Sequence, residues 1–178
     1  VTVAKTAGFC FGVRRAVDLA EQQTRQGGEI YAYGEIIHNM HEIARLEKMG
    51  VHTAQTLDEI PDGERVLIRA HGVARSVYDA FRQKNCEIYD ATCPFVQKIH
   101  RIVDRESRDG RLVLILGKEG HPEVEGIRGW CSESVVIDGE QAAQTFADAL
   151  EPASRPVSLV AQTTVNREIW NISVSILK

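Results

Sequence analysis

The 178-residue sequence has no uninterrupted apolar run near the roughly 20 residues that a membrane-spanning helix requires. Its N-terminus also lacks the basic-then-apolar layout of a secretory leader. These two absences lead to the expectation of a cytoplasmic protein with no membrane partner. Cysteine is scarce. The four present have neither dense spacing nor a Cys-x-x-Cys pair, which argues against a disulfide scaffold and for reduced thiols or metal ligands. A basic excess is missing too: the net charge of -4 gives no electrostatic footprint for nucleic acid, although it says little about one local anion site. Low-complexity stretches, heptad arrays and obvious repeats are absent. What remains, 43% apolar and 26% charged, suffices to bury one sizeable core or two small ones.

Short β-type runs occur at 1–4, 30–33, 66–69, 112–116, 135–137 and 157–160, mostly closed by glycine or polar residues. Helical spacing fills the intervals at 13–26, 39–49, 75–84, 94–107 and 141–150, with Gly27-Gly28 and Gly50 as stops for the first two. Strand and helix alternation predicts an α/β fold of successive small α/β domains with mostly parallel sheets, changing over near Cys93 and Pro94. We expect domains at 1–93 and 94–165, followed by a helix over 166–178.

Cys10, in Ala7-Gly-Phe-Cys-Phe-Gly-Val13, and Cys93, in Asp90-Ala-Thr-Cys-Pro-Phe-Val96, both stand where a strand hands over to a helix. A thiol at a helix N-terminus feels the positive end of the dipole, which favours the metal-binding thiolate. Pro94 suits a first helical turn. In open α/β folds, ligands sit beyond the carboxyl ends of the strands. The loops expected there carry His38, His71, His121 with Glu123, and Gln162-Thr163-Thr164. Each has an ordinary alternative. A buried cysteine serves as a small hydrophobe, a loop histidine caps a helix or bonds a carbonyl, Glu123 is a first-turn carboxylate, and the Gln-Thr-Thr run is a turn and N-cap.

Taken together, the set is chemically coherent. Soft thiolates select an iron-sulfur cluster, zinc or copper, while imidazoles and hydroxyls suit an anionic group such as a diphosphate. A cluster whose irons are all held by cysteine mainly transfers electrons, whereas an iron without a protein thiolate acts as a Lewis acid toward a substrate oxygen. Ala7 to Val17 (AGFCFGVRRAV), His38-Asn39, Ala70-His-Gly-Val73, DATCPFV at 90–96, HPEVEG at 121–126 and Gln162-Thr-Thr164 resemble, in order and along nearly the whole chain, the LytB/IspH family of 4-hydroxy-3-methylbut-2-enyl diphosphate reductases.

The resemblance implies reductive dehydroxylation to isopentenyl and dimethylallyl diphosphates, the last step of the methylerythritol phosphate route to isoprenoids. It implies a 4Fe-4S cluster with Cys10 and Cys93 as ligands, and an allylic diphosphate held by His38, His71 and His121. Glu123 would relay protons, and Thr163 and Thr164 would complete that network, Thr163 serving the substrate hydroxyl. The electron donor implied is of the ferredoxin or flavodoxin kind. The family is built from three α/β domains in a trefoil-like arrangement, with a third cysteine in the third domain. Cys86 and Cys131 sit in no matching motif, so the chain is expected to hold two of the three domains, with 166–178 as a linking helix. The competing expectation is a non-catalytic α/β module that binds structural zinc or an anion.

Overall fold

The computed structural model describes residues 2, 8–149 and 155–178. The strand expected at 1–4 falls almost wholly outside them. The chain forms two compact units, Val1–Gly72 with Val77–Pro94, and Val73–Ser76 with Phe95–Lys178.

In the first unit, α1 (Phe11–Arg25) is followed by β1 (Ile30–Tyr33), α2 (Met40–Glu47), β2 (Val51–Ala54) and β3 (Arg65–Ile68). The helix α3 (Arg75–Gln83) and the strand β4 (Glu87–Asp90) follow, and the sheet order is β2-β1-β3-β4, parallel throughout. Alternation along each strand sends Ala32 and Leu67 into a core with Ala16, Val17 and Ala20 of α1 and Leu46 of α2. Tyr33 meets the fully buried ring of Phe81 edge-on, with centroids 5.4 Å apart. The strand β2 was not expected from sequence. Val-His-Thr-Ala carries only two buried residues on an edge, too weak a pattern to read without its partner β1.

The second unit contains α4 (Pro94–Arg108), β5 (Leu112–Leu116), α5 (Pro122–Arg128), β6 (Ser134–Ile137), α6 (Glu140–Ala149), β7 (Val157–Ala161) and α7 (Arg167–Ile176). Its sheet order is β6-β5-β7, again parallel. The central β5 is buried on both faces, which is why it reads as a continuous apolar run. Val113 and Ile115 pack with Val103, Val124 and Ile127, while Leu114 and Leu116 pack with Ile137 and Ala143. Trp170, Ile176 and Leu177, in and just after α7, lie against the latter cluster. Residues 73–76 belong to this unit because Val73 accepts a hydrogen bond from the Trp130 indole at 2.9 Å and Arg75 pairs with Asp104. Gly129 lets Ala74 approach, since a Cβ there would collide with it.

Candidate functional site

Cys10 is the N-cap residue of α1, exposed, with an extended backbone and no capping bond from its side chain. Its carbonyl accepts from the Arg14 amide at 3.0 Å, so the thiol stands at the open end of a fifteen-residue helix with no acid in its first turn. Cys93 immediately precedes α4, and its amide donates to Ala70 O at 2.9 Å. A Cβ on Gly12 would lie 2.8 Å from the Cys93 sulfur. The absence of that carbon lets the Cys93 thiol rest on the first turn of the helix that Cys10 caps. Two separate motifs thus bring both cysteines to one helix N-terminus. All four cysteines are free thiols. Cys131, in the second unit, faces Arg128 O at 3.4 Å, and burial raises its thiol above the usual range. Cys86 lies 3.7 Å from Pro61 O.

His38 and His71 follow β1 and β3, and their rings are 4.9 Å apart. His38 Nδ1 is 3.3 Å from a Glu35 carboxylate oxygen, while Asn39, not His38, caps α2 through the Glu42 amide at 3.2 Å. Arg69, at the carboxyl end of β3, went unnoticed in the sequence. Its guanidinium is half-buried, and burial lowers its pKa against the opposing pull of Tyr33 and Glu35. Its Nε is buried with no hydrogen-bond partner among the described residues. Gly34, at φ 74°, leaves the space that this guanidinium fills. The available signal was a lone arginine ending an apolar strand, two residues before a histidine.

In the second unit, His121 caps α5 by accepting from the Glu123 amide at Nδ1, at 3.1 Å, so the proton of its neutral ring sits on Nε2. The ordinary capping role is therefore real for His121. Glu123 is 3% exposed, and Thr163 supplies both its partners: the amide donates to Oε1 at 2.6 Å and the hydroxyl to Oε2 at 2.9 Å. A buried carboxylate is tolerable only with such bonds. Gln162 is buried as well. It accepts from the Lys118 amide at 3.1 Å and donates to the Thr164 hydroxyl at 2.9 Å, tying the loop after β7 to the loop after β5. Gly117 gives Gln162 and Val124 the room to pack. The Gln-Thr-Thr run forms a turn but is not the N-cap of α7, a place taken by Asn166 on the Glu168 amide at 2.7 Å. A cavity of about 450 Å³ opens at the carboxyl ends of all three strands of this unit, lined in part by His121, Asp138, Gln162, Thr164 and Asn166.

A family model described as LytB protein matches residues 1–178. The 4-hydroxy-3-methylbut-2-enyl diphosphate reductase of Clostridioides difficile (strain 630) is 39% identical over 171 residues, which are 96% of this chain and 61% of that protein. The protein of the same name from Aquifex aeolicus (strain VF5) is 38% identical over 174 residues, 96% of this chain and 58% of that one. The solved structure of E-1-hydroxy-2-methyl-but-2-enyl-4-diphosphate reductase from Plasmodium falciparum superposes with a TM-score of 0.89 at 27% identity, covering 97% of this chain and 54% of that one. A structure of (E)-4-hydroxy-3-methyl-but-2-enyl diphosphate reductase, described as the terminal enzyme of the non-mevalonate pathway, gives 0.83 at 36% identity, covering 99% and 63%. The chain spans about 60% of the length of the curated relatives it matches. Matched by one family model from its first residue to its last, this chain belongs to the LytB protein family.

Proposed function

We propose that the chain supplies two cluster ligands and much of the substrate site of a 4-hydroxy-3-methylbut-2-enyl diphosphate reductase. The reaction replaces the allylic C–O bond by C–H: two electrons and two protons enter, and isopentenyl or dimethylallyl diphosphate and water leave. The observation that carries this reading is the Cys93 sulfur resting on Gly12, in the first turn of the helix whose N-cap is Cys10. Free, reduced sulfurs gathered at a helix N-terminus fit a thiolate-bound iron-sulfur cluster, with Cys10 and Cys93 as ligands. A zinc site would be expected to pair cysteines at short spacing, which this sequence lacks. When bound, the cluster supplies the electrons and a Lewis-acidic iron.

The remaining chemistry falls to the chain. His38, His71 and His121 bind the diphosphate through ring N–H donors, with Arg69 adding a fixed positive charge near the first two. Thr163 presents its hydroxyl to the substrate hydroxyl. Glu123, whose Oε2 accepts from the Thr163 hydroxyl at 2.9 Å, is the group through which a proton is relayed to Thr163 when water departs. Thr164 is oriented toward the same end of the sheet by Gln162. The electron donor is a small redox protein of the ferredoxin or flavodoxin kind, and the setting is the cytoplasm. The third cysteine ligand belongs to a further domain of the whole protein, toward which residues 166–178 lead.

Anaerobic reconstitution with iron and sulfide tests this. Near-equal iron and acid-labile sulfide in the full-length form, lost on Cys10→Ser or Cys93→Ser, is the expected result. Stoichiometric zinc without sulfide would defeat the reading.

A further inference from the structure

We infer that Arg15 is a positioning residue for Cys93 and, with Gly12 one turn earlier on α1, sets where that thiol stands relative to Cys10. The inference rests on the proposed reading of both thiols as ligands of one cluster. The Arg15 guanidinium donates to Asp90 O at 3.0 Å and to Thr92 O at 3.1 Å. These carbonyls lie at the end of β4, an edge strand, and on the residue just before Cys93. A planar fork gripping two carbonyls two residues apart fixes both the place and the direction of the backbone entering Cys93.

Gly12 and Arg15 are three residues apart on one helix and share a face. The first receives the sulfur, and the second holds the backbone that carries it. Other bonds shape the loop from the sheet side. Asp90 accepts from the Thr92 amide at 2.8 Å and from the Tyr78 hydroxyl at 3.1 Å, Cys93 is bonded to Ala70, and Ala91 and Thr92 are fully buried. Those bonds tie Cys93 to β3 and α3. Arg15 supplies the tie to the helix that carries Cys10, so α1 becomes the common reference for both sulfurs. The motif around Cys10 thus contains a group that acts on the other cysteine.

The test uses Arg15→Ala and Arg15→Lys in this chain, with Arg25→Ala at the far end of α1 as control. In the reduced, metal-free protein, alkylation of Cys93 by N-ethylmaleimide is followed by peptide mass spectrometry. The expected result is a rate about tenfold higher in Arg15→Ala, a smaller rise in Arg15→Lys, which reaches one carbonyl, and no change at Cys131. Cobalt(II) added to the same proteins reads geometry, because two thiolates on one ion give roughly twice the sulfur-to-cobalt absorption of one. Arg15→Ala is expected to lose about half of that band. Unchanged Cys93 labelling, an equal rise at Cys131, or a one-thiolate band in the unmodified chain would each overturn the inference. Should Arg15→Ala not fold, Gly12→Ala gives the second measurement. Its methyl would meet the Cys93 sulfur at 2.8 Å and displace it, and an unchanged cobalt band there overturns the inference equally. Failure of the cluster reading looks different: iron and sulfide do not enter the full-length form, while the labelling contrast between this chain and its Arg15→Ala variant persists.

Discussion

The two units place reactive groups at the same topological address, the carboxyl ends of parallel strands, and treat them in opposite ways. In the first, Cys10 is exposed and the His38 side chain keeps 59% of its surface in solvent, 3.3 Å from a Glu35 carboxylate oxygen and beside the His71 ring. In the second, Glu123 and Gln162 are 3% and 6% exposed, and each makes two side-chain hydrogen bonds of 3.1 Å or less. The groups proposed to meet a cluster or an anion are displayed on helix and loop ends. Glu123, the group proposed to relay a proton, is shut away with Thr163, whose two bonds fix its orientation.

The contrast can be broken at several levels. The largest effect is expected from Glu123→Gln in the full-length form. The amide retains an acceptor for the Thr163 N–H, so the fold and metal content stay, while turnover falls about 100- to 10,000-fold with loss of the proton. Normal turnover would remove the proton role from the second unit. Next, Phe81→Ala should cost about 3–5 kcal/mol in chemical denaturation, because the ring is fully buried in the first unit. A loss under 1 kcal/mol would show that this face of the sheet recloses. Gln162→Leu should cost about 1–3 kcal/mol by stranding the Lys118 amide. An unchanged denaturation midpoint would mean that the second unit does not depend on its cross-loop bonds.

The smallest effect concerns acid. The Glu106 carboxyl is held below its usual 4.5, chiefly by its hydrogen bond to Arg105 and also by the charges of Arg105 and Arg111. A carboxyl lowered on folding contributes stability that is present above its unfolded value and lost as pH falls through the folded one. Glu106→Gln should therefore flatten the acid limb of the stability curve below about pH 4.5 and leave neutral pH nearly unchanged. A variant with the same acid limb as the parent would show that the exposed pair carries no linkage.

Much of the fold was legible because parallel strands buried on both faces write themselves as apolar runs. Leu112–Leu116 is such a run, and the expected and observed bounds coincide. Val51–Ala54 was not legible, since an edge strand needs only alternate burial and this one includes an exposed histidine. At the site, residue types at strand ends pointed to Cys10, Cys93, the histidines, Glu123 and the threonines. Arg69 and Tyr78 gave no such sign, and Arg15 and Asp90 lay inside the quoted motifs without a role, because an arginine on an amphipathic helix or at a strand end looks like any solvated charge.

By itself, the sequence determined the alternation of elements, the family and the chemistry that its side chains make available, because periodicity and residue type are local properties. Only the tertiary structure decided which groups share an address. A sulfur 83 residues from Cys10 in the chain comes to rest on the helix that Cys10 caps, and a carboxylate meets a hydroxyl 40 residues away. Parallel strands require long crossovers, so neighbours across a sheet are distant in sequence, and their partnership is set by packing rather than by spacing.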